Sequence, residues 1–301
     1  MFQVLAVMFI LILLGVIFRL CRLLPRDAAG TLNRFVLYVA FPSLVFRSLQ
    51  PSELTSALWG IPPLTFLIVS LTFVLTYFIS QRSLRLPPLS AASFAMGAAF
   101  GNTAFLGYPF ILALRGEAAL PAAIFFDQMG NFLSVFSVGI AFCLFSRTGR
   151  FSLHNLREIL KLPPFLAFLL ALASRSLAFP PLFWDIVNRL ADTTIPLIMV
   201  AIGLSLSATH LSQNLKPVLA AAALKLVVLP LLFVLATRFL PFPTLLREVM
   251  ILQAATPTLL SSYALADAYQ LDLPLSSSII FLTTVLSLIT LPLWSLLIAY
   301  L

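Results

Sequence analysis

The sequence predicts an all-α polytopic membrane protein: ten transmembrane helices arranged as two inverted five-helix repeats, with helices 4 and 9 broken and crossing. Three observations predict it. Of 301 residues, 61% are apolar and only 9% charged, where a soluble domain of this size carries about 25%. The apolar residues fall in unbroken runs, not in the alternating ten-residue segments of a membrane barrel. Prolines and polar residues recur at matching places in the two halves.

The first observation excludes a soluble α/β enzyme, a disordered chain and a secreted disulfide scaffold, because too few charges remain to cover a water-facing surface. The spans must be helices, since an open strand would leave backbone groups unpaired in hydrocarbon. At roughly 30 residues per span and turn, the length admits about ten of them and no sizeable aqueous domain. The net charge of +8 does not point to nucleic acid. The chain has no Lys/Arg-rich run, and its cations flank the apolar stretches as membrane anchors do. Cys21 and Cys143 form no CxxC motif and read as lipid- or core-facing thiols without a redox role.

The runs place the spans at 2–20, 32–49, 57–80, 89–114, 118–145, 162–180, 183–208, 217–240, 246–268 and 274–300. The first lacks a basic leader and a small-residue cleavage site, and ends in Arg19, Arg22 and Arg26, so it reads as an uncleaved span. Between spans five and six, residues 146–161 form the longest hydrophilic stretch and divide the chain into repeats at 1–145 and 162–301. Lys and Arg number eleven on the side of the odd-numbered loops, counting Arg34, and six on the other. The excess places the 146–161 loop in the cytoplasm and both termini outside.

Pro42 in span two and Pro196 in span seven are 154 positions apart, and the same step carries Asn102 in span four to Thr256 in span nine, directly before Pro257. Five spans per half force the second copy to enter from the opposite side, which is the inverted-repeat plan of secondary transporters. Chance is the competing explanation, as Pro is frequent in membrane helices and this chain has 21.

Span four reads Ser93-Phe-Ala-Met-Gly-Ala-Ala-Phe-Gly-Asn-Thr-Ala-Phe-Leu-Gly-Tyr-Pro109. Gly97, Gly101 and Gly107 weaken a helix, and Pro109 lacks an amide hydrogen and clashes with the carbonyl of residue 105. A helix broken near Asn102 and Thr103 exposes free amides, whose partial positive charge suits an anion. The alternative is a small-residue packing motif, for Gly97 and Gly101 also form a GxxxG. Span nine reads Gln253-Ala-Ala-Thr-Pro-Thr258, where Pro257 frees the carbonyl of Gln253, with Thr256 and Thr258 on either side. Two unwound segments crossing at the midplane would gather Asn102, Thr103, Thr256 and Thr258, with an anion on the amides at Asn102 and Thr256.

Two ionisable residues lie inside spans. Asp127 precedes Gln128 and shares a helix face with Asn131, and Lys225 lies five residues before Pro230. A charge at depth has a partner or a wet cavity. Asp127 is thus a candidate proton or cation site and Lys225 an anion-attracting charge, unless the two form a structural pair. Arg34, beside Asn33 near a span end, reads as a snorkelling cation. His154 and His210 have no metal-ligand spacing. No Walker loop follows Gly107, and no acid–base constellation points to an enzyme. No cofactor and no metal is implied.

Leu32-Asn-Arg-Phe-Val-Leu-Tyr-Val-Ala-Phe-Pro-Ser-Leu-Val-Phe46 resembles the second-span signature of the auxin efflux carrier family, and Phe100-Gly-Asn-Thr-Ala-Phe-Leu-Gly-Tyr-Pro109 resembles its fourth-span signature. Thr194 to Ser205 and Ala254-Ala-Thr-Pro-Thr258 are similar to its seventh and ninth. The family belongs with the bile acid, arsenite and riboflavin transporters. The resemblance implies a scaffold from helices 1, 2, 6 and 7 and a transport part from helices 3–5 and 8–10. It also implies an organic anion at the crossing, lined by Asn102 and the Thr256-Pro257 segment. The short middle loop marks a prokaryote-type member.

The reading is a carrier of a small organic anion, such as a carboxylate, in the cytoplasmic membrane. Its mode is efflux, proton-linked or uniport, and its motion an elevator or a rocking. Gly101, Gly107, Pro109 and Gln253 belong to the candidate site with the polar residues above. Its partners are the anion, the lipid bilayer and protons, with room for a homodimer. The alternatives are a sodium-coupled symporter of larger anions and a non-transporting scaffold or sensor.

Overall fold

A computed structural model describes residues 2–25, 27–150, 162–205 and 215–300. His154, Arg157, Lys161 and His210 lie outside the described residues. Within them the chain is helical, and its only β-type pairing is an isolated bridge.

The helices are α1 Phe2–Leu20, α2 Ala28–Leu49, α3 Ser56–Ser83, α4 Pro88–Ala99, α5 Thr103–Arg115 and α6 Glu117–Thr148. They continue as α7 Pro163–Ala173, α8 Pro181–Ser205, α9 Leu215–Arg238, α10 Thr244–Ala254, α11 Ser262–Ala268 and α12 Leu273–Ile298. By length and composition, α2, α3, α6, α8, α9 and α12 are each able to cross a membrane. Predicted spans four and nine are each two helices, α4/α5 and α10/α11, separated by non-helical residues 100–102 and 255–261. Helix α7 ends at Ala173, short of the predicted span end at 180, in a turn at Ser174 followed by Pro180.

Three prolines inside the helices follow a widened turn and do not break the helix. Pro42, Pro109 and Pro230 each stand two residues after a π-helical turn, at Val36–Ala40, Thr103–Gly107 and Leu224–Val228. A proline pushes away the carbonyl four residues back, and that carbonyl belongs to a residue of the π turn in each case. Pro109 therefore does not break the helix. The helix runs on through Pro109, and the break falls at Phe100–Asn102.

Helix α1 packs along the second half of α8, and the second half of α2 lies against α7 and the first half of α8. Gly15 and Gly203 make the first contact possible. A Cβ on Gly203 would collide with the Ile12 carbonyl, and one on Gly15 with the Val200 carbonyl. The second is fastened by an Arg47–Asp192 ion pair at 2.6 Å and by Gln50 Nε2 donating to the carbonyls of Ser174 and Leu177. The remaining helices gather around the two breaks. Helix α3 packs on α4 and on the middle of α6, and α12 packs on α4 and α9. Cys21 is exposed just beyond α1, while Cys143 is buried with its Sγ 3.5 Å from Met96 Sδ.

Gly203→Val should lower the thermal unfolding temperature of the purified protein by several degrees, as overpacking at a backbone contact costs about 1–3 kcal/mol. Gly30→Val, where nothing stands within 4 Å of an added Cβ, should leave the temperature nearly unchanged. Equal shifts would contradict the close α1–α8 crossing.

Candidate functional site

The two breaks meet. Phe100 is extended (φ −86°, ψ 127°), which takes its backbone groups off the helical ladder. Asn102 N–H donates to the Pro257 carbonyl at 2.7 Å and Leu259 N–H to the Phe100 carbonyl at 2.9 Å. Gly101 and Thr258 face each other in the resulting antiparallel bridge. The two bonds exchange under a single step of 157 residues (100 to 257, 102 to 259), so the crossing is locally two-fold symmetric. Within this bridge the two-fold mate of Asn102 is Leu259, three positions beyond Thr256.

Gly101 is needed here because a Cβ would stand 2.7 Å from Thr256 Oγ1 and 3.3 Å from Lys225 Nζ. The Phe100 ring stacks on Phe73 with centroids 5.1 Å apart and fills the space left by Gly139.

Most of the predicted polar residues hold this backbone in place. Thr258 Oγ1 donates to the Gly97 carbonyl at 2.6 Å and caps the end of α4. Thr256 Oγ1 donates at 2.7 Å to the Gln253 carbonyl, the one freed by Pro257. The Gln253 carboxamide lies against Gly107, its Nε2 donating to the Ala123 carbonyl at 3.4 Å. Asn131 clasps Gly101: its Oδ1 accepts from the Gly101 N–H at 3.3 Å, and its Nδ2 donates to the Gly101 carbonyl at 3.1 Å. Asp127 accepts from the hydroxyl of Thr103, from Tyr108 Oη at 2.7 Å and from Gln128 Nε2 at 2.7 Å. Asp127 and Asn131 thus share one face, as predicted, and meet at Thr103, which also accepts from Asn131 Nδ2 at 3.0 Å.

Lys225 is fully buried and donates from Nζ to the Ala254 carbonyl at 2.6 Å. It forms no ion pair with Asp127. The ion pairs among the described residues are Arg47–Asp192 and Arg115–Glu248. The two buried charges instead face opposite helix ends. Asp127 lies beside the first residue of α5, where a helix end is positive, and Lys225 beside the last residue of α10, where it is negative.

The amides of Asn102 and Thr256, predicted to hold an anion, are occupied. The first bonds Pro257 and the second the Gln253 carbonyl at 3.3 Å. The open wall lies one step away. A cavity of about 510 Å³ is bounded by Asn33, Arg34 and Leu37 of α2, Asn102 and Phe105, Ile202 and Ser205 of α8, Leu260, Ser261, Tyr263 and Ala264 beside and within α11, and Ser277, Ile280, Phe281 and Thr284 of α12. Asn102 is 2% exposed, its Oδ1 is sealed from solvent, and its carboxamide has no hydrogen-bond partner. Asn33 Oδ1 is likewise buried without a partner, and Arg34 has no carboxylate within ion-pairing distance among the described residues. Of the predicted site residues, Asn102 borders this cavity, whereas Gly101, Thr103, Gly107, Pro109, Gln253, Thr256, Pro257, Thr258, Asp127, Asn131 and Lys225 do not. Sequence reasoning missed Asn33 and Arg34. The signal for them is the adjacent polar pair at the start of span two. A second cavity of about 190 Å³ shares Leu37, Phe105, Ser261 and Ala264 with the first and is bounded by Asp127 and Tyr108.

A family model described as "Membrane transport protein" matches residues 1–295. The chain belongs to this family, that of the auxin efflux carriers. It is 33% identical to an uncharacterized transporter of Methanothermobacter thermautotrophicus over 95% of this chain and 94% of that one. It is 28% identical to an uncharacterized transporter of Methanocaldococcus jannaschii over 97% of both chains. A third relative, named "Putative malonate transporter" in Rhizobium meliloti, is 26% identical over 88% of this chain and 86% of its own. The family and these relatives are membrane transporters and not enzymes, so the protein is a multi-pass membrane protein with a small substrate.

Asn131→Ala should lower the unfolding temperature by several degrees, because stranding the buried N–H and C=O of Gly101 costs about 1–3 kcal/mol for each group. Ser137→Ala, at an exposed hydroxyl that bonds only its own helix, is the control. An Asn131→Ala protein as stable as this control would contradict the clasp.

Proposed function

We propose that the protein is a secondary carrier of a small carboxylate in the cytoplasmic membrane, binding it in the 510 Å³ cavity. The observation that carries this reading is the unspent polar capacity of the wall: among the described residues, the Arg34 guanidinium has no carboxylate in ion-pairing distance and the buried Oδ1 atoms of Asn33 and Asn102 have no hydrogen-bond partner. A guanidinium presents a planar fork of donors that fits a carboxylate, and unpaired carboxamides at a buried wall are costly unless a ligand completes them. Substrates in the size range of malonate fit the volume and chemistry, in keeping with the name of the Rhizobium relative.

In the same reading the chain has ten spans in two inverted repeats, with α4/α5 and α10/α11 as the broken fourth and ninth. The packing of α1 on α8 and of α2 on α7 supports this, since each contact is the two-fold mate of the other. Helices α1, α2, α7 and α8 form the scaffold, and the others carry the substrate past it by an elevator or rocking motion. The cavity lies between these parts. Its residues at the start of α2, the end of α8 and the start of α12 belong to the side that carries the excess of Lys and Arg, so it faces the cytoplasm, with both termini outside; efflux is taken from the family resemblance alone. Asp127 supplies a proton-exchanging group through the second cavity.

Malonate counterflow in proteoliposomes, with a panel of related carboxylates beside it, tests the reading. Arg34→Gln should raise KM ten- to a hundred-fold, the range that follows from losing a hydrogen bond to a charged group worth about 1.5–3 kcal/mol. Asn102→Ala should cut flux at least ten-fold with the fold intact. Unchanged kinetics in both variants would overturn the site. Asp127→Asn should keep exchange of malonate for malonate but abolish accumulation driven by a proton gradient, and retained accumulation would remove the proton role.

A further inference from the structure

In the ten-span order, Arg115, Arg238 and Arg247 are three of the six cations on the side poorer in Lys and Arg. Cations there run against the charge bias of membrane proteins, and the fold gathers these three. Arg115 ends α5, Arg238 ends α9 and Arg247 lies in the first turn of α10. Arg115 Nε donates to Glu248 Oε2, and the two charges cancel. Arg238 and Arg247 have no carboxylate in ion-pairing distance among the described residues. Both border one cavity of about 60 Å³, with Thr244 and Glu248 beside them and Ile251 and Ile298 in its apolar lining.

A lone cation at a helix end snorkels to water. Two guanidinia from different helices at one small cavity repel each other unless an anion joins them. Each presents a planar fork of donors that fits the oxygens of a phosphate. Leu231, Leu235 and Arg238 stand at i, i+4 and i+7 on one face of α9, and all three are exposed. Phe239 follows, 82% exposed, and aromatic rings at span ends sit at the headgroup level. An apolar track thus leads along α9 to the cations, which suits acyl chains hanging from a phosphate. We propose that the adjoining ends of α9 and α10 bind the phosphate headgroup of an anionic phospholipid, its chains lying along Leu231 and Leu235. A zwitterionic lipid fits less well, because its own ammonium opposes the two guanidinia. The site is separate from the carboxylate cavity, and its test needs no transport.

The test titrates the full-length protein in detergent with dioleoylphosphatidylglycerol, dioleoylphosphatidylcholine or inorganic phosphate and follows thermal unfolding. Phosphatidylglycerol should raise the unfolding temperature of wild type by several degrees, and the other two should leave it nearly unchanged. Arg238→Gln and Arg247→Gln should each shift the phosphatidylglycerol midpoint at least ten-fold upward. Neither guanidinium has an ion-pair partner to lose, so both variants should unfold with wild type in phosphatidylcholine. Arg189→Gln removes an exposed cation of α8 on the same side, also without a carboxylate partner among the described residues, and should keep the wild-type midpoint. Native mass spectrometry of wild type from an equimolar mixture of the two lipids should show phosphatidylglycerol retained in preference, a reading that needs no variant.

A wild-type midpoint in both Arg238→Gln and Arg247→Gln, or an equal loss in Arg189→Gln, would overturn the site. Equal stabilisation by inorganic phosphate would overturn the lipid as its ligand, and equal retention of phosphatidylcholine would overturn the preference for an anionic headgroup.

Discussion

The rest of the molecule depends on two main-chain hydrogen bonds, from Asn102 N–H to the Pro257 carbonyl and from Leu259 N–H to the Phe100 carbonyl. A helix that stops inside an apolar environment leaves donors and acceptors that no water can satisfy. Here each broken helix supplies what the other lacks. The bridge uses three residues of each chain segment, too few to hold alone, and side chains complete it. Asn131 satisfies Gly101, Thr258 caps α4, Thr256 recovers the Gln253 carbonyl and Lys225 takes that of Ala254. This division of labour explains why so many polar residues are buried around so short a stretch and yet leave a single carboxamide, that of Asn102, facing the cavity from the crossing.

Burying charge beside these helix ends follows the same logic. A lone carboxylate or ammonium in the bilayer interior is costly, but Asp127 has three donors and Lys225 a carbonyl at a negative helix end. Each offsets the partial charge of the half-helix it faces. The pair compensates the crossing without being an ion pair, and in the proposed carrier an anion in the neighbouring cavity would meet the field of both and the guanidinium of Arg34.

Much of this is legible in the sequence. The apolar runs give the helices, six of them long and apolar enough to cross a membrane, and the Gly-Asn-Thr and Thr-Pro-Thr stretches give both breaks, because unsatisfied backbone in a membrane needs small and polar residues around it. The part played by Pro109 is not legible, as it looks like a contributor to the first break until the π turn Thr103–Gly107 shows how the helix absorbs it. Nor is the direction of the side chains. Thr256 and Thr258 look like ligands, but the backbone next to them competes for their hydroxyls and wins. Arg34 looks like a snorkelling cation because it stands at a span end. Only the approach of α2 to α8, α11 and α12, which no local pattern encodes, makes it part of a wall.

The central claim is that the crossing and the α2 cation together form an anion site. A cryo-electron microscopy map of the full chain in nanodiscs, with and without saturating malonate, tests it most directly. The account predicts density for the dianion between Arg34 and Asn102, beside strands 100–102 and 257–259 still paired. Continuous helix through either stretch, or malonate density away from both side chains, would contradict it.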